Sequence, residues 1–178
     1  MNDAYNPGSR FRPKSPYAPR IDPMNGQQTQ FHAGQDFSAL PGTPIPAAAI
    51  GTVVYSGFNK NLGNVVIVKN DTGSYSLYGH MLDGSRVELG QKIWPGDAVG
   101  LVGSTGARTT GPHLHYSVIT QEAGDNNQTF PSKGGGIGIP LNTETTVDPA
   151  KYDNYRPRLY VDETKRALEV MSGTGGFC

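Results

Sequence analysis

The sequence predicts a mainly β fold, an antiparallel sheet with one short C-terminal helix, on three observations. Residues 49–56 (AIGTVVYS), 64–69 (NVVIVK) and 74–81 (SYSLYGHM) are runs rich in β-branched and aromatic residues, separated by Gly- and Asn-containing turns. The 24 Gly and 14 Pro make up about a fifth of the 178 residues while charged residues are only 17%, a balance that favours short strands and many turns. Residues 162–171 (DETKRALEVM) form the best helix of the chain, with Asp162 as cap, good helix formers within and Ser-Gly after. This length supports one domain with a real core. The expected division is an irregular arm at 1–30 partly packed on the domain, a domain at 31–152, and an extension at 153–178 carrying the helix.

The arm is rich in Pro, Gly, Asn, Gln and Arg and has no sustained period, so Arg10, Arg12, Lys14 and Arg20 read as solvated unless an anionic partner faces them. Phe31-His32-Ala33-Gly34-Gln35-Asp36-Phe37 follows; its Gly, and the Pro41-Gly42-Thr43-Pro44 beyond, disfavour a helix, so an extended segment is expected with His32 and Asp36 on one face. Alone, such a pair is a surface His beside an unrelated Asp. The three β runs make a meander whose second turn, Asn70-Asp71-Thr72-Gly73, has hairpin chemistry, and His80 ends its third strand. Residues 82–103 carry closely spaced Gly and Pro-Gly turns and read as further short strands. Ser104 to Pro112 is a loop of small polar residues feeding the strand that starts His113-Leu114-His115-Tyr116. Residues 121–139, with Gly134-Gly135-Gly136, read as a flexible insertion, and 147–152 as a short turn or helix.

Several function classes are excluded. Lys+Arg and Asp+Glu cancel at 15 each, which argues against a nucleic-acid partner. No apolar run approaches a membrane span, and residues 1–30 lack the apolar core of a secretory signal. Cys178, the single cysteine and the last residue, permits no internal disulfide.

The four histidines are not scattered: two share a strand face, one stands four residues before an Asp, and the fourth ends a neighbouring strand. Catalytic zinc takes three ligands of the His/carboxylate kind and an open position for water. Two His and one Asp would supply the three, leaving two histidines for proton transfer and oxyanion stabilisation. Strand geometry places His113 and His115 side by side but does not say which binds metal.

From about Ser15 to about Tyr152 the sequence resembles the lysostaphin-like (LytM-type) zinc metallopeptidases, which cut peptide crosslinks or stems of bacterial peptidoglycan. The resemblance rests on the 31–37 segment, matching the family's H-x-G-x-D-[FIL], on Leu77-Tyr78-Gly79-His80-Met81, on 87–93 (VELGQKI) and on 102–116 (VGSTGARTTGPHLHY). It implies that His32, Asp36 and His115 bind Zn2+, and that His80 and His113 are the catalytic pair that positions and deprotonates the water or steadies the oxyanion. It further implies an open groove on an antiparallel sheet, walled by 58–63 and 105–112, with the 121–139 insertion as a candidate third wall. Two departures stand out. Ser117 lies where many members carry an acidic residue, and the 58–62 loop lacks the Tyr of some relatives, for which Tyr55, Tyr78 and Tyr116 are the alternatives.

The expected activity is therefore a zinc-dependent peptidoglycan endopeptidase acting in the periplasm or cell wall. The alternative is a non-catalytic wall-binding or hydrolase-activating module on the same fold. With no leader visible, delivery by a phage or by injection as an antibacterial toxin is expected, the latter with an immunity protein as partner.

Overall fold

A computed structural model describes residues 11–26, 29–126, 137, 140–153, 155 and 157. In chain order these form β1 (Arg12–Ser15), β2 (Ala18–Ile21), β3 (Thr29–His32), β4 (Gln35–Ser38), β5 (Pro44–Pro46), β6 (Gly51–Asn59) and β7 (Gly63–Asn70). There follow β8 (Tyr75–Met81), β9 (Lys92–Ile93), β10 (Ala98–Leu101), β11 (His113–Ile119), α1 (Gln121–Asp125), β12 (Thr146–Val147) and α2 (Pro149–Tyr152). The main sheet runs β1-β4-β11-β8-β7-β6-β9, with β12 also on β11, and its pairings are antiparallel. β5 with β10 and β2 with β3 form two small ribbons.

The expected mainly β, antiparallel fold is the one observed. β6, β7 and β8 are the meander, and its second turn closes with Gly73 at φ +102° and Asn70 N–H donating to Ser74 O at 2.8 Å. Every residue of β8 and β11 is buried, because the sheet is covered on both faces. One face packs Phe37, Val66, Val68, Tyr78, Leu114 and Tyr116 into the larger apolar cluster. The other packs Val65, Ile67, Leu77 and Ile119 over part of its area and carries the histidines over the rest.

Several details depart from expectation. Residues 12–15 and 18–21, read as an irregular arm, are strands, because β1 finds the free edge of β4 and β2 pairs with β3. The 31–37 segment is not one strand: it bends at Gly34, so His32 closes β3 and Asp36 lies in β4. Of residues 82–103, only 92–93 and 98–101 are strand. The start of the 121–139 insertion is α1, capped by the Thr120 hydroxyl, and Ile137 is buried. The helix expected at 162–171 lies outside the described residues; the described helices are α1 and α2.

Thr105 ties these parts together. Its hydroxyl donates to Met81 O (2.7 Å) and accepts from Asn64 N–H (3.0 Å), joining the 104–112 loop to β8 and β7. The joint is close: Gly63, at φ +67°, has no room for a Cβ, which would lie 2.2 Å from Thr105 Oγ1. Thr105→Val keeps the shape and removes the hydroxyl, stranding the Asn64 N–H. Urea unfolding is expected to show a loss of about 1–3 kcal/mol.

Candidate metal centre and groove

The strand registers assemble the histidines. β11 lies between β4 and β8, with His115 opposite Asp36 on one side and Gly79 on the other. Alternation along β11 sends Leu114 and Tyr116 into the large cluster and His113 and His115 to the opposite face. On β8 the same alternation would send His80 the way of Tyr78. Instead His80 sits at φ +60°, the one described non-glycine residue in the left-handed region. That turn shifts the parity of the strand: Met81 joins Tyr78 in the large cluster, and the His80 ring lies 4.5 Å, centroid to centroid, from that of His113.

His32 Nε2, Asp36 Oδ1 and His115 Nδ1 converge, with separations of 3.1, 3.0 and 3.1 Å. All three residues are buried. His32 Nδ1 donates to Pro16 O (2.8 Å), which leaves Nε2 an acceptor. His115 Nε2 donates to Ser117 Oγ (2.9 Å), whose own proton goes to Ala33 O (2.8 Å), which leaves His115 Nδ1 an acceptor. Three acceptors facing one another is an arrangement that a cation resolves. Zinc bound to N and O at about 2.0–2.2 Å in a tetrahedron spaces its ligands by about 3.3–3.5 Å, so the triangle fits after a small expansion.

Asp36 is only 3% exposed, and its second oxygen accepts from Arg20 Nη1 at 3.0 Å. Burial raises this carboxyl, whereas the Arg20 guanidinium at its second oxygen favours the ionised form. Arg20, read from sequence as solvated, therefore has an anionic partner, and Ser15 Oγ accepts from the same nitrogen at 2.7 Å. Its only sequence signal is its place in a proline-bounded segment, Pro19 to Pro23.

His80 and His113 stand beside this triangle. His80 Nδ1 donates to Thr105 O (2.8 Å) and His113 Nδ1 to Gly111 O (2.7 Å), so each presents Nε2 as an acceptor. His113 Nε2 lies 3.8 Å from Asp36 Oδ1, farther than either nitrogen of the triangle. Burial lowers the His80 pKa to about 3 and pushes those of His113 and His115 down, favouring neutral rings.

All five residues line one cavity of about 390 Å³. Its walls include Asn59, Asn61 and Leu62 from the β6–β7 turn, Arg108 from the 104–112 loop, and Ile137, Pro140 and Leu141. Among the described residues no tyrosine lines it. Tyr78 donates to no groove atom, accepting instead from Ala48 N–H, while Tyr116 gives its hydroxyl to Asp153 and Tyr55 to Phe58 O. None of the three replaces the loop tyrosine of some relatives.

Residues 30–128 match the model of Peptidase family M23. The DD-carboxypeptidase/endopeptidase Mpg of Neisseria meningitidis serogroup B is 35% identical over 141 residues, 79% of this chain and 30% of that protein. This chain thus spans under a third of that relative's length. Among solved structures, the catalytic domain of the prophage-encoded M23 protein EnpA from Enterococcus faecalis is 32% identical, with a TM-score of 0.59, covering 82% of this chain and 93% of that one. A zinc-containing peptidase from Vibrio cholerae is 30% identical, with a TM-score of 0.55, covering 62% of this chain and 34% of that one.

Two substitutions test the geometry. Ser117→Ala frees the His115 ring and is expected to weaken zinc binding about 10- to 100-fold in competition with a chromophoric chelator. Gly34→Ala would place a Cβ 2.6 Å from the His115 ring and from Tyr116 O, and is expected to abolish stoichiometric zinc binding in the same assay.

Proposed function

The chain belongs to peptidase family M23, and from that membership we propose that it is a zinc-dependent endopeptidase hydrolysing peptide crosslinks or stem peptides of bacterial peptidoglycan. The observation that carries this reading is the convergence of three acceptor atoms beside two further imidazoles in one groove. His32, Asp36 and His115 would hold Zn2+, which when bound supplies Lewis-acid polarisation of a carbonyl and a water of lowered pKa.

The chain's own groups do the rest. The Nδ1 protons of His80 and His113 are committed to Thr105 O and Gly111 O, so each ring enters the reaction as a base at Nε2. The ring that takes the proton of the attacking water becomes an imidazolium, able to steady the developing oxyanion and then to protonate the leaving amine. Arg20 keeps the second Asp36 oxygen occupied, so a single oxygen is directed at the ligand triangle. The open groove admits an extended peptide. Its place of action is the cell wall or periplasm, where the substrate lies.

A setting as a phage enzyme or an injected antibacterial toxin is a further part of the proposal, supported by the likeness to a prophage-encoded protein. An injected toxin implies an immunity protein filling the groove. Lysis on periplasmic expression that a co-expressed groove-binding protein suppresses would support the toxin setting, and harmless periplasmic expression would count against it.

Purified zinc-loaded protein is expected to solubilise sacculi, and His113→Ala to cut the rate by about 10²–10⁴-fold with one zinc still bound by elemental analysis. Chelation should stop the wild type, and added zinc restore it. Intact, zinc-loaded protein that leaves both sacculi and free crosslinked peptides untouched would sink the reading.

A further inference from the structure

Two guanidinium groups line the cavity, and they are engaged differently. Arg20 is turned to Ser15 and Asp36. Arg108 gives Nη2 to Asp22 Oδ2 (2.8 Å) and to Gln30 Oε1, while its Nη1 and Nε donors have no partner among the described residues. Its side chain is 33% exposed, neither sealed in the protein nor free in solvent. Both walls of the groove hold it. The Arg108 and Ala107 N–H groups donate to Asn61 O (3.1 Å) and Lys60 O (2.8 Å) of the β6–β7 turn, and the side chain reaches the β2–β3 ribbon.

Arg108 stands before the N-terminal end of β11. Beyond the opposite end lie Ile137, Pro140 and Leu141, with Ile137 and Leu141 packed among Ile119, Leu77 and Tyr75. The groove therefore presents the remaining donors of a guanidinium ion-paired with Asp22 at one end of β11 and apolar side chains at the other. Asp36 is the one carboxylate among the described lining residues, and it is already compensated by Arg20.

We propose that Arg108 is a specificity-determining residue that binds a carboxylate of the peptide substrate, a role that rests on the endopeptidase reading above. A guanidinium has five donors; Asp22 and Gln30 account for the two on Nη2 and leave three for an incoming acceptor. The same two residues fix the side chain in advance, so little rotamer freedom is lost on binding. A carboxylate at this position gains a charge-assisted hydrogen bond, which an amide of the same shape does not match.

Two carboxylates of a crosslinked stem could supply this chemistry: the C-terminal carboxylate and the side-chain carboxylate of a diamino acid. The zinc-loaded full chain is assayed on a defined crosslinked peptide dimer and on two versions, each with one of these groups amidated. One amidation is expected to lower kcat/KM about 10- to 100-fold, chiefly through KM, and so to identify the group. In Arg108→Gln that discrimination should shrink to about threefold or less, with Arg108→Lys retaining part of it. A wild type that cleaves all three substrates alike overturns the inference and leaves the endopeptidase reading standing, as does an Arg108→Gln variant that slows all three equally. A wild type that cleaves none of them overturns both. Where Arg108→Gln fails to fold, Arg108→Lys decides: discrimination reduced below that of the wild type supports the inference, and discrimination equal to the wild type overturns it.

Discussion

The buried Asp36 carboxylate is the constraint on which the rest of the structure depends. Taking an ionised carboxylate out of water costs several kcal/mol unless charge and hydrogen bonds compensate it. Here Arg20 on β2 supplies the positive charge at one oxygen, while His32 at the end of β3 and His115 on β11 face the other with lone pairs, an arrangement that a bound cation would complete. The N-terminal segment is consequently part of the site. β1 adds to the β4 edge beside Asp36, and β2 both carries Arg20 and pairs along β3 so that Ala18 stands opposite His32. The order of this segment follows from the charge it serves together with two aromatic anchors, Phe11 buried in the large cluster and Tyr17 packed edge-on against Phe31.

A second constraint acts at His80. A non-glycine residue at φ +60° costs about 1–3 kcal/mol, and it is held there by contacts on both sides. Its own N–H donates to Leu62 O (2.7 Å), and its ring donates to Thr105 O. Met81, one residue on, fills the large cluster and accepts at its carbonyl from Thr105 and Asn64. The strain is what brings the ring to the groove face while Met81 stays in the core.

How much of this was legible in the sequence follows from the range of the interactions. The meander could be read because β propensity and turn chemistry are local, and the Asn70–Gly73 turn carries its signal within four residues. The two histidines of β11 share a face by the same local rule. His80 could be located at a strand end, but its change of parity could not be read, because alternation predicts the opposite face. Arg20 and Thr105 act across 16 and 25 residues respectively, and nothing beside them in the chain marks their partners. Ser117 was visible as a departure from the acidic residue of many relatives. Its role was not, since that depends on Ala33 O accepting its proton.

The proton positions of this site are therefore set largely by loop backbone. Carbonyls of Pro16, Thr105 and Gly111 each take one imidazole Nδ1 proton, and only His115 is oriented by a side chain. Backbone acceptors tie each tautomer to loop conformation rather than to side-chain identity. The loops can thus vary in side chain, and hence in what the groove selects, while the three rings keep their protons in place. Insertion or deletion within 104–112 is a different matter, because it would move the carbonyls that hold His80 and His113. In this fold the strands place the rings, and for His32, His80 and His113 the loops decide which nitrogen faces the groove.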